Sequence, residues 1–147
     1  LLDGLLSARV SIACDGDTVE PGRILIAGGG TYHTELAGPA PFGIRLVPGG
    51  DRDLHVPAVD RLFHSAVACG AKAVGVLLTG MGRDGSEGLL AMRRAGAHTI
   101  AQSAETCVID GMPGAARSIG AVAESVPLDR IGAAILHHAA AGRDAAA

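Results

Sequence analysis

Residues 74–96 read VGVLLTGMGRDGSEGLLAMRRAG, and the reading of this stretch decides the fold. Its front, AVGVLLT from Ala73 to Thr79, is apolar without alternation, the pattern of a strand covered on both faces. Its back, SEGLLAMRRAG, spaces Leu89, Leu90 and Met92 along a helix that stops at Gly96. HTIAQ, residues 98–102, supplies the next strand. Strand, helix and strand within about 30 residues make a βαβ unit, and such a unit implies a parallel sheet.

The flanks extend this pattern. Residues 1–8 read as the end of a helix, Arg9 to Cys14 as a strand, and DGDTVEPG as a polar turn. Ile24–Gly28 is a short strand running into a glycine loop, and IRLV is another strand, set between GPAPFG and the turn PGGDRD. From Pro57 to Cys69, the residues Val59, Leu62, Phe63, Ala66 and Val67 share one helical face. Beyond the βαβ unit come a short helix after Pro113, a brief segment near Val122 and a last helix from about Leu128. Residues 142–147 (GRDAAA) are expected to fray.

With 147 residues the chain fits one domain, and 2% aromatic residues within a 48% hydrophobic composition make its core aliphatic. A net charge of -3 with no basic stripe argues against nucleic acid as a partner. Every apolar run is shorter than the roughly 18 residues of a membrane span, so no membrane insertion is expected. Cys14, Cys69 and Cys107 match neither a zinc spacing nor a disulfide framework and read as buried reduced thiols of a cytoplasmic protein. His64, His98, His137 and His138 stand in no metal-ligand spacing with a nearby acid, so neither a metal nor a cofactor is expected.

The turn GMGRDG, Gly80 to Gly85, satisfies G-x-G-x-x-G, with Glu105 about 20 residues beyond it as a candidate ribose acid. Against a dinucleotide stands Asp84, whose carboxylate would repel a pyrophosphate at the helix start. Two other readings remain open for Asp84. In D-G-S-E it can cap the following helix, with Glu87 reaching back and Ser86 in the first turn. Alternatively, at the carboxyl end of a parallel strand it can orient a histidine.

The stretch from Leu77 to Ala116 resembles the CheB-type protein-glutamate methylesterases in its TGMGRDGSEG turn, TIAQ strand, ETCV loop and GMP helix start. Residues 15–36 and 55–76 are similar to that family as well, so the resemblance covers nearly the whole chain. It implies a doubly wound, mostly parallel, three-layer Rossmann-like α/β fold, of which residues 1–147 form the C-terminal part with N-terminal strands missing. The implied activity is hydrolysis of γ-glutamyl methyl esters on methyl-accepting chemotaxis receptors, releasing methanol, with possible deamidation of glutamine. The implied catalyst is a Ser-His-Asp triad whose acid is Asp84. The implied active-site loop is Thr79, Gly80, Met81 and Gly82, with Met81 beside the oxyanion site, and His33 and His55 fall at a possible rim.

The family's G-A-S-T-G-G serine turn and Q-H-M-P histidine stretch do not occur in these residues, and Ser86 lacks the G-x-S-x-G elbow. Both motifs are expected ahead of Leu1, with a phosphorylatable receiver domain as a possible further part of the longer chain. On this view the 147 residues alone are inactive and poorly stable. A non-catalytic binding module is the alternative, and a dinucleotide-binding domain the weaker one. HVPAVD, with Val56 and Ala58 where the family more often has Arg and Ser, alters the surroundings of His55.

Overall fold

A computed structural model describes residues 7–144. The βαβ core is present: β5 (Val74–Leu77), α2 (Ser86–Arg94) and β6 (His98–Gln102), with β5 and β6 parallel and Val74 opposite His98. β7 (Glu124–Val126) extends this sheet in parallel on the other side of β6, placing Ile100 opposite Glu124. The order is β5-β6-β7.

Alternation along the strands divides the core into two layers. Leu77 packs with Leu89 of α2 and with Ala116 of α3 (Met112–Ser118). On the opposite face, Val74, Val76 and Ile100 pack with Ile131, Ala134 and Ile135 of α4 (Leu128–Asp144). Helices therefore cover both faces of the parallel sheet, which is why β5 carries no polar alternation. Gly75 is required for this contact: a Cβ there would lie 2.6 Å from Leu89 Cδ1.

The front of the chain forms two further ladders. β1 (Arg9–Ile12) and β2 (Arg23–Ile26) pair in parallel, while β3 (Tyr32–Ala37) and β4 (Gly43–Pro48) form an antiparallel hairpin. The expected α/β architecture is present, with helices on both faces of a parallel sheet, and within the described residues the strands fall into three ladders. β3 is the element that sequence pattern does not announce. Its His33, Thr34 and Glu35 are polar yet buried, because α1 (Val59–Ala66) packs over them.

Other boundaries differ for local reasons. The helix expected over 57–69 starts two residues later, with Ala58 as N-cap, and tightens into a 3-10 turn over Val67–Lys72 that breaks at Gly70, whose φ is 54°. Ser7 lies in a bend, not a helix, and residues 1–6 of the expected opening helix fall outside the described residues. α4 runs through Asp144, and residues 145–147 of the expected tail are outside the described range. Cys14 is exposed in the turn after β1, where its amide donates to Asp17 at 2.9 Å, contrary to the expected burial; Cys69 and Cys107 are half-buried.

Leu89 is fully buried between β5 and α3. Leu89→Ala is expected to cost about 2–5 kcal/mol of unfolding free energy, read as a lower denaturant midpoint at unchanged slope.

Candidate active site

The loop between β5 and α2 and the loop after β6 both leave the carboxyl end of the parallel sheet, where α/β proteins place their ligands. Thr79 ties the two loops together. Its Oγ1 donates to the Ile109 carbonyl at 3.0 Å and accepts from the Ile109 amide at 2.9 Å, and its own amide donates to Gln102 Oε1 at 2.8 Å. The Gly80 carbonyl accepts from the amides of Gly111 and Met112 at 3.1 and 2.8 Å. A side chain at Gly80 would collide with Met112 Sδ at 2.5 Å, so this glycine is there for close approach.

Gln102 and Arg117 are the supporting residues that motif reading missed. The fully buried Gln102 holds Thr79 with its oxygen and donates from Nε2 to the Thr106 carbonyl at 2.7 Å. Arg117 donates to the Gln102 carbonyl at 2.8 Å and pairs with Asp110. A buried glutamine at the end of a strand is the one sequence signal that could have pointed to this brace. The next residues carry no such restraint: Met81 is 80% exposed and its amide has no partner among the described residues. Gly82 has a φ of 89° and turns the chain back toward α2.

Asp84 does not cap α2. The N-cap there is Gly85, at φ 88°, without a side-chain hydrogen bond, and Glu87 pairs with Arg83 at 3.2 Å. Ser86, buried in the first turn, donates from Oγ to the Arg83 carbonyl at 2.7 Å. The left-handed Gly85 instead aims the Asp84 carboxylate across at α1, where it accepts from the amides of Val59 (2.8 Å) and Asp60 (2.9 Å). The exchange is reciprocal: Asp60 accepts from the Gly88 amide in the first turn of α2 at 2.7 Å.

This arrangement also disposes of the dinucleotide reading. Phosphate binding needs free amides at a helix start. At α2 the Ser86 amide is bound to the Arg83 carbonyl and the Gly88 amide to a carboxylate.

His33 is not a loop residue. It lies in β3, fully buried, and accepts from the Ala58 amide at Nδ1 (3.1 Å). A backbone amide can only donate, so the ring proton sits on Nε2 and is donated to Asp53 at 2.9 Å. The Gly50 amide and then His33 hold the Asp53 carboxyl below its ordinary range. His33 therefore braces the floor beneath the rim. His55 is exposed on the same cleft as Asp84, a depression of about 360 Å³ also bordered by Arg52, Leu54, Arg61 and Arg83.

Arg61 reaches from this cleft to Glu35 at 2.7 Å, and Arg45 meets the other oxygen at 2.7 Å. Burial pushes the Glu35 carboxyl up, but the hydrogen bonds from Arg45 and Arg61 outweigh it and hold the group below 4.5.

The family model for CheB methylesterase matches residues 1–135. The chain belongs to the CheB methylesterase family. A protein-glutamate methylesterase/protein-glutamine glutaminase of Caulobacter vibrioides is 50% identical over 143 residues, covering 97% of this chain and 42% of the relative. One from Bordetella avium is 48% identical over 140 residues, covering 94% and 40%. The chain thus spans about two-fifths of the length of these curated relatives. The crystal structure of the Thermotoga maritima CheB methylesterase catalytic domain is similar at a TM-score of 0.85 and 31% identity, over 92% of this chain and 72% of that one.

Two outcomes follow from the geometry. Asp84→Ala removes both acceptors at the start of α1 and should cost about 1–2 kcal/mol, with faster hydrogen exchange at the Val59 and Asp60 amides. Glu35 has a folded pKa below its unfolded one, so its stabilising effect is complete above that unfolded value and fades as pH falls through the folded value. Glu35→Gln should therefore be less stable than the parent at pH 7, with the gap in chemical denaturation narrowing below about pH 4.5.

Proposed function

We propose that this chain supplies the acid and the oxyanion loop of a serine esterase that hydrolyses γ-glutamyl methyl esters on methyl-accepting chemotaxis receptors, and glutamine side-chain amides by the same route. The observation that carries the reading is the placement of Asp84. Two α1 amides fix its carboxylate at the carboxyl end of β5, in an open cleft, within a family whose relatives bear the names methylesterase and glutaminase.

The chemistry assigns each group a task. A serine hydroxyl attacks the ester carbonyl while a histidine takes its proton. Asp84 holds that histidine in the tautomer able to accept it and stabilises the imidazolium. Each carboxylate oxygen has a second lone pair, so binding Val59 and Asp60 leaves capacity for a histidine N–H. The free Met81 amide donates to the tetrahedral oxyanion. Collapse of the intermediate expels methanol, protonated by the histidine, and water then hydrolyses the acyl-serine. The serine and histidine belong to the family's G-A-S-T-G-G and Q-H-M-P motifs in a longer polypeptide, alongside a receiver domain, acting in the cytoplasm on the receptors' inner portions.

The test joins the segment that precedes the matching region in the Caulobacter vibrioides relative to Leu1 and measures methanol release from methylated receptor. The fusion should be active. Asp84→Asn in the fusion should lower kcat by roughly 10³–10⁴-fold while circular dichroism stays unchanged. Full activity in that variant would sink the acid assignment. A folded fusion that binds receptor without releasing methanol would make this a binding module.

A further inference from the structure

The opposite end of the parallel sheet carries a second constellation. His98 opens β6, Glu124 opens β7, and His138 comes from α4. Sequence spacing concealed the group, because its members lie on three elements: the histidines stand in no metal-ligand spacing along the chain, and the fold brings two of them to one acid. Glu124 Oε2 lies 3.3 Å from His98 Nε2 and 3.1 Å from His138 Nε2. The two imidazoles stack with centroids 3.3 Å apart and planes 15° from parallel.

We propose that His98, Glu124 and His138 form a binding site for a divalent transition-metal ion of the zinc class, tying α4 to the amino end of the β6–β7 pair. The separations fit such an ion. Ligand bonds of about 2.0–2.1 Å in a tetrahedron require ligand atoms about 3.3 Å apart, close to both nitrogen–oxygen distances here. All three ligand atoms lie within 4.8 Å of one another.

Chemistry narrows the choice of ion. Two imidazoles and one carboxylate suit zinc, cobalt, nickel or copper, whereas magnesium and calcium prefer oxygen alone. An imidazole ligates through the lone pair in its ring plane, so with the rings 15° from parallel one of them turns about its side-chain bonds to bring both lone pairs onto one ion. The carboxylate offsets part of the ion's charge. The side chains of His98, His138 and Glu124 keep 29%, 24% and 43% of their exposure, and a depression of about 380 Å³ opens beside Glu124 and His138. An ion can therefore enter, and a water can complete its fourth position. Arg130 borders the same depression.

The proposal is independent of the esterase reading and is tested by binding. The intact, metal-free chain is titrated with Zn²⁺ by calorimetry and with Co²⁺ in the visible range. One equivalent should bind, with the absorption of four-coordinate cobalt and no thiolate charge-transfer band. With zinc at roughly 100-fold above its dissociation constant, Tm should rise by about 5–10 °C. Glu124→Gln and His138→Ala should each weaken binding by at least about tenfold, while the exposed His64→Gln should not. Failure of the parent chain to bind saturably below millimolar zinc would overturn the site, as would a thiolate band or undiminished affinity in a folded His138→Ala variant.

Discussion

The amino end of α1 is the constraint on which the rest of the site depends. Its N-cap residue, Ala58, has no side chain able to cap, so three successive amides need partners from elsewhere. His33 Nδ1 takes Ala58, and the two oxygens of Asp84 take Val59 and Asp60. Asp60 then returns a carboxylate to the Gly88 amide of α2. The two helices are locked at their starts by exchanged carboxylates, and the close approach this needs explains Gly88, where a Cβ would lie 2.6 Å from Phe63 Cβ. A carboxylate held at two points by backbone has little freedom to turn, which is the property an orienting acid needs.

How much of this could be read from the chain alone depends on the range of the interaction. β5, α2, β6 and α4 were legible because their apolar residues recur at the period of the element that buries them. β3 was not, since YHTELA shows polar residues whose burial is made tolerable by partners on other elements: Asp53 and Ala58 for His33, Arg45 and Arg61 for Glu35. For Asp84 the local sequence, D-G-S-E, pointed to capping of α2, whereas its carboxylate accepts from the amides at the start of α1. A capping box can be read from four residues; a cap supplied from 24 residues away cannot.

The glycines of the turn illustrate how one motif serves different physics. In a dinucleotide fold, G-x-G-x-x-G lets a pyrophosphate approach the backbone. Here Gly80 admits the Met112 side chain, Gly82 provides a left-handed turn, and Gly85 both adopts φ 88° and leaves room for Val59 and Leu77. At Gly80 and Gly85 it is protein atoms that come close. The pattern records that something must come close, and only the identity of the neighbour says what.

The two ends of the parallel sheet are built differently. At its carboxyl end the loop after β5 presents Asp84 to a cleft, and Thr79 is braced from behind by Gln102, which Arg117 holds in turn, while Met81 is exposed. At its amino end the strands begin almost directly beside α4, and side chains, not loops, meet across the gap. His138 and then His98 hold the Glu124 carboxyl below its ordinary range. A single ion needs only converging side-chain atoms. The cleft beside Asp84 and the histidine–carboxylate cluster thus stand at opposite ends of one sheet, with Ile100 and Val126 buried between them.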